Sequence, residues 1–168
     1  TSNFKKRSQY LTGDPRFTSV KKGTKNIVYL WARKEFQNIS KCYDCGIPVV
    51  KPRHVSKNIL IMDFEGKDGK PENTLLESEI DENDYHQSIE LISDLFKKAK
   101  LVHGDFSEYN IFKTKNGLKL FDLGSAVDTT HPNTMNFLKR DINNITNFFV
   151  KRGLTVENPA DILERITK

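Results

Sequence analysis

The stretch that decides the reading is His103-Gly104-Asp105-Phe106-Ser107-Glu108-Tyr109-Asn110, answered further along by Phe121-Asp122-Leu123-Gly124. Asp105 and Asn110 stand at the two ends of a short loop. Ile111-Phe112 then opens a strand, Lys115-Asn116-Gly117 reads as a turn, and Leu118 to Asp122 runs back, an Asn-Gly pair between apolar runs being a strong hairpin signal. The three side chains can therefore converge on one rim. A hard divalent cation such as Mg²⁺ takes oxygen ligands and keeps several waters, so one carboxylate and one side-chain amide, completed by phosphate oxygens, make a suitable protein contribution. Asp105 would then remain for a hydroxyl. Taken singly, an Asp that caps a turn, an Asn that bonds backbone and an Asp at a hairpin end are ordinary features. The chemistry lies in all three occurring in this order and spacing. His103 reads as a residue that packs and hydrogen-bonds the loop, not as a base.

On the N-terminal side, residues 1–23 are polar, basic and aperiodic, with turn signals at Gly13-Asp14-Pro15 and Lys22-Gly23, and read as a flexible segment. From Thr24, Val28, Trp31, Glu35 and Ile39 fall on one helical face, which Gly46 and Pro48 close. Glu35 is the odd member of that stripe. A carboxylate among apolar neighbours is costly unless a cation meets it, so it is either a snorkelling edge residue or an ion-pair partner. Two strands are expected next, a short one at Val49-Val50 and another from Ile59 to Phe64, then a polar connector over 66–80. Asp81 can cap a core helix carrying Tyr85, Ile89, Ile92, Leu95, Phe96 and Ala99. Beyond Gly124, His131-Pro132 opens a helix with Met135, Leu138, Ile142, Ile145 and Phe149 at spacings of three and four, ended by Gly153. A last helix starts at Asn158-Pro159 and buries Ile162, Leu163 and Ile166.

The 168 residues suffice for one domain or a piece of a larger one, and 36% hydrophobic residues with 29% charged are lean but globular. No apolar run approaches the roughly 20 residues of a membrane span. The net charge of +5 fits an anionic partner or plain solubility. Its lysines cluster at Lys5-Lys6-Arg7, Lys21-Lys22, Lys97-Lys98-Lys100 and Lys113/Lys115, with few aromatics to stack bases. Cys42 and Cys45 form one C-x-x-C without the second pair that a zinc site needs, and read as helix-end filler in an intracellular protein.

His103-x-Asp105-x-x-x-x-Asn110 followed by Asp122-x-Gly124 matches the catalytic loop and metal-binding Asp of the protein-kinase-like fold. Gly104 replaces the Arg of H-R-D, which usually meets a phosphorylated activation loop, and no A-P-E follows. The chain resembles the RIO family of atypical kinases, and within it the RIO1 branch. The resemblance rests on Tyr10-Leu11-Thr12-Gly13, Trp31-Ala32-Arg33-Lys34-Glu35, Leu101 to Asn110, and His131-Pro132 leading to Phe137-Leu138-Lys139-Arg140-Asp141 and Phe148-Phe149. It implies an α+β, protein-kinase-like fold: a flexible loop over 1–23, the remainder of a small lobe over 24–65 and a compact large lobe over 66–168.

The resemblance also implies a serine/threonine kinase or slow ATPase using ATP and Mg²⁺, or Mn²⁺ in its place. It would act on a protein substrate or on itself, and in maturation of the small ribosomal subunit, whose precursor (protein and rRNA) would be a cytoplasmic partner with no membrane involved. It makes Asp105 the catalytic Asp, Asn110 and Asp122 the metal ligands, and Asp122 also a transient phosphate acceptor. Glu35 becomes the partner of the ATP-binding Lys, Met62 the gatekeeper, and Asp63-Phe64-Glu65 the hinge at the adenine. Asp141 either anchors the catalytic loop from below or is an exposed partner of Arg140.

The resemblance departs at the front, where the family has a glycine-bearing phosphate loop and a strand Lys. Lys21, Lys22 or Lys25 are poor substitutes for that Lys, so the 168 residues alone, as part of a longer kinase, are expected to bind ATP weakly or not at all and to be inactive. The alternatives are a Bud32-like or aminoglycoside-type small kinase, and a catalytically silent ribosome-assembly module.

Overall fold

The computed structural model describes residues 24–168, with only the backbone of Thr24 and Lys25. The expectations for residues 1–23, including Tyr10-Leu11-Thr12-Gly13 and the candidate Lys21 and Lys22, lie outside the described residues, as does the side chain of Lys25. The first element is a long helix, α1 (Thr24–Asp44), and Gly46 leaves it at φ 72°. Its C-terminal half drives Ile39 and Cys42 into the core. Burial pushes the Cys42 thiol up to about 12, so it is a packed apolar group and not a nucleophile, while Cys45 is exposed.

The strand expected at Val49-Val50 is instead a buried linker. Val49 makes one parallel bridge to Leu120, and Val50 N–H donates to the Leu120 carbonyl. The strand forms next, at β1 (Pro52–Ser56), where the pattern PRHVS has too few apolar residues to announce it. It pairs antiparallel with β2 (Ile59–Met62), which falls within the expected run from Ile59. The connector over 66–80 is also more ordered than its composition suggests. It holds a small hairpin, β3 (Gly66–Lys67) with β4 (Lys70–Pro71), and a 3-10 turn, Leu75–Glu77, whose Leu75 is fully buried.

Asp81 caps α2 (Glu82–Lys97) in a reciprocal capping box with Asp84. Helix α2 buries Tyr85, Ile89, Leu91, Ile92 and Leu95. A short β5 (Leu101–Val102) follows, then the hairpin β6 (Ile111–Thr114) and β7 (Gly117–Leu120), with Gly117 at φ 109° closing the turn. The segment after Gly124 contains an unforeseen β8 (Val127–Asp128), which pairs with β5.

Helix α3 (Thr134–Lys151) begins with Asn133 as its cap, so Pro132 lies before the helix and not in its first turn. Leu138, Ile142, Ile145 and Phe149 are buried as expected, but Met135, in the first turn, is exposed. Helix α4 (Pro159–Thr167), capped by Asn158, seats Ile162 and Ile166 on the same core. That core runs continuously from Ile39 of α1 to Ile166 of α4. The β1–β2 hairpin adds only half-buried Leu60 and Met62 to it, and Ile59 and Ile61 face outward.

Candidate active site

Two strand ends and one buried aspartate build the site. In the β6–β7 ladder Ile111 pairs with Leu120, so the residues just outside, Asn110 and Phe121, are neighbours, and Phe121 N–H donates to the Asn110 carbonyl at 3.3 Å. Asp122 is the next residue out. Across the loop, Asn110 Nδ2 donates to the Asp105 carbonyl at 2.9 Å, and Asn110 N–H to the Ser107 carbonyl at 3.0 Å. Asp105, Asn110 and Asp122 thus share one end of the hairpin. Asp105 and Asp122 are exposed, and among the described residues neither carboxylate is in a salt bridge. Asp122 Oδ1 accepts the Gly124 N–H at 3.0 Å, which leaves Oδ2 as its second oxygen.

The loop is shaped from beneath. Asp141 on α3 is 1% exposed and accepts two backbone N–H groups, Gly104 at 2.7 Å and Phe106 at 3.0 Å. Of the two roles open to it in the sequence, it therefore has the anchoring one. Burial pushes its carboxyl above the ordinary carboxylate range, opposed by neighbouring His103 and by the two N–H donors. Arg140 donates to the Gly104 carbonyl, so both faces of Gly104 are held. Gly104 sits at φ 76°, where a side chain would be strained, so this loop has a conformational reason to carry Gly where H-R-D kinases carry Arg. His103 is buried edge-on to Phe106, and its Nδ1 accepts the Asp105 N–H, a packing role as expected.

The remaining expected residues lie along α1 and the end of β2. Glu35 is half-buried and lines a cavity of about 200 Å³ with Ile27, Val28, Trp31, Ala32, Asn58 and Leu60. Met62 ends β2 against the core. Asp63 is gripped by Arg53 through two bonds, 2.5 Å from Nε and 2.8 Å from Nη2, and the guanidinium holds its carboxyl below the usual range. Asp63 N–H donates to the Lys51 carbonyl, Glu65 pairs with Lys119 at 2.6 Å, and the Glu65 carbonyl accepts from Glu72. Phe64 is 62% exposed.

Two residues escaped the sequence reading. Lys34 and Asn38 are fully buried on α1 and donate to backbone carbonyls of the Asp122 loop. Their spacing of four puts them on one helical face, but nothing along the chain says that this face is covered.

The donor set suits a hard cation: two oxygen-bearing side chains at an open rim, with no salt bridge to either Asp105 or Asp122 among the described residues. Among the described residues no group of three or more His, Cys, Asp or Glu could hold a metal, so a closed protein cage is not what the site offers.

The lobe-like arrangement of hairpin, capped loop and supporting helices is a protein-kinase-like fold. It is shared with the Rio2 kinase of Chaetomium thermophilum solved as an ADP/Mg²⁺-phosphoaspartate complex, at a TM-score of 0.66 and 25% identity, over 82% of this chain and 44% of that one. The chain belongs to the RIO domain family, whose model matches residues 1–162. It is 35% identical to the serine/threonine-protein kinase rio1 of Dictyostelium discoideum over 98% of this chain and 30% of that protein. It is 37% identical to the RIO-type serine/threonine-protein kinase Rio1 of Thermoplasma acidophilum, over 100% of this chain and 89% of the relative. Against the D. discoideum, Encephalitozoon cuniculi and Caenorhabditis elegans relatives, the chain spans between 30% and 43% of their length.

Proposed function

We propose that this chain carries the phosphoryl-transfer centre of an atypical serine/threonine kinase of the RIO1 type. The observation that carries the reading is the grouping of Asp105, Asn110 and Asp122 at one hairpin end, with no basic partner for either carboxylate among the described residues. Asp105, its backbone fixed through its own N–H and carbonyl, presents an exposed carboxylate that orients a Ser or Thr hydroxyl and accepts its proton. Asn110 commits Nδ2 to the loop and offers Oδ1, while Asp122 commits Oδ1 and offers Oδ2. These two oxygens would hold Mg²⁺, which when bound neutralises charge on the transferring phosphates. Asp63 N–H and the Glu65 carbonyl are engaged inside the protein, so an adenine edge would meet the other backbone groups of the 62–65 segment.

The C. thermophilum Rio2 complex contains a phosphoaspartate, which supports Asp122 as a transient acceptor. A carboxylate oxygen would bond to the γ-phosphorus, ADP would leave with the electrons of the broken P–O bond, and water would later release phosphate. Glu35 would meet the ATP-binding Lys from α1. The relatives named as serine/threonine-protein kinases support a protein substrate. A role on the small-subunit precursor in the cytoplasm rests on family likeness and on the net charge of +5. Of the clustered lysines, Lys97 bonds the Arg165 carbonyl, Lys98 pairs with Asp94 and Lys113 with Asp84.

Asp105→Asn in the complete protein is expected to lower ATP turnover and self-phosphorylation by at least about 100-fold while leaving Mg·ADP binding intact by calorimetry. Turnover within a few-fold of wild type would remove Asp105 from the mechanism.

A further inference from the structure

The loop carrying Asp122 has no regular secondary structure between β7 and β8, so its carbonyls need partners from elsewhere. Three of them find those partners on α1. Lys34 Nζ donates to the carbonyls of Gly124 at 2.8 Å and Ala126 at 2.5 Å, and Asn38 Nδ2 to those of Leu123 at 2.8 Å and Ala126 at 3.0 Å. Both side chains are 0% exposed, and a buried ammonium without such acceptors would be very costly. One turn before Lys34, Trp31 closes on Gly124, where an added Cβ would lie 2.7 Å from the indole Nε1. Gly124 is therefore held on three sides. Its carbonyl is taken by Lys34, its α-carbon packs under Trp31, and its N–H is bonded to Asp122 Oδ1.

We propose that Lys34 and Asn38 are positioning residues for the Asp122 carboxylate, fixing it through Gly124 so that the setting of α1 dictates whether the cation-binding oxygen is in place. This inference rests on the reading of Asp122 as a metal ligand. A rigid carboxylate binds a cation without the entropic cost of ordering the loop, whereas a freed loop bears that cost on every binding event. It follows that a movement of α1 reaches Asp122 directly, through bonds from one helical face, without passing through the rest of the core.

The test uses Lys34→Met and Asn38→Leu, which keep volume and remove the donors, made in the complete protein. Two quantities are measured: hydrogen exchange of the 122–127 segment without nucleotide, and Mn²⁺ binding with ADP followed by electron paramagnetic resonance. Exchange over 122–127 is expected to rise about tenfold, as for loss of a charge-assisted hydrogen bond, with a comparable weakening of Mn²⁺ binding. Exchange in β6, β7 and α2 should stay unchanged. A variant that folds with both quantities within twofold of wild type overturns the proposal, as does one whose exchange rises equally everywhere. If Lys34→Met does not fold, Asn38→Leu decides by the same criteria. Asp122→Asn separates the two readings: wild-type Mn²⁺ binding there would remove Asp122 as a ligand, while the exchange measurement still judges Lys34 and Asn38 as supports of the loop.

Discussion

Asp141 shows how one side chain sets the geometry of a site it never enters. Its two oxygens take the N–H groups of Gly104 and Phe106, which bracket Asp105, so the exposed carboxylate stands on a peptide segment fixed from below. Asp141→Asn turns one of those acceptors into a donor facing an N–H, leaving at least one buried group unsatisfied. A loss of about 1–3 kcal/mol is expected in urea denaturation, with a larger fractional fall in turnover than the loss of folded protein explains. A stability change with unaltered turnover per folded molecule would confine Asp141 to a structural role. The two possibilities left open for this residue could not be separated on the chain, because a lone Asp beside an Arg on a helix looks the same whether that face is covered or wet.

Among the elements, those with a strong local signal were the legible ones. The β6–β7 hairpin, α2 with its Asp81 cap, and α4 with Asn158-Pro159 all follow from turn and cap chemistry, which acts within a few residues. Strands β1, β5 and β8 were not legible. β1 has too few apolar residues to announce it, and β5 and β8, two residues each, exist through pairing with one another. Asp81 is the N-cap of α2. The Asp84 N–H holds its carboxyl below the ordinary range, so the stabilisation it adds to α2 is present above the unfolded value of ~3.9 and is lost as pH falls through the lowered native value. Asp81→Ala should therefore melt below wild type at pH 6, and the gap should close in acid near pH 2, as followed by circular dichroism. A gap of constant size across that range would mean that the charged cap is not its source.

Across the molecule, the core is centred on α2, α3 and the C-terminal half of α1, while the β1–β2 hairpin contributes only half-buried Leu60 and Met62. Native-state hydrogen exchange should accordingly show the β1–β2 hairpin opening well before α2 and α3, a separation expected where few apolar contacts secure an element. Equal protection throughout would contradict it. The core also depends on its last helix: Ile162→Ala and Ile166→Ala, at fully buried positions, should each cost about 2–5 kcal/mol by denaturation.

The identity and order of the chemical groups were readable along the chain: Asp105, Asn110 and Asp122 at kinase spacing, with a hairpin turn between them, follow from local propensity and short-range geometry. That Asp141 lies under the loop, and that Lys34 and Asn38 reach the carbonyls after Asp122, came only with the packed fold. Those contacts join residues 35 to 92 positions apart. Hydrogen bonds from side chains to distant backbone leave no periodic trace, because any polar residue can make one and only packing decides which of them is brought within 3 Å.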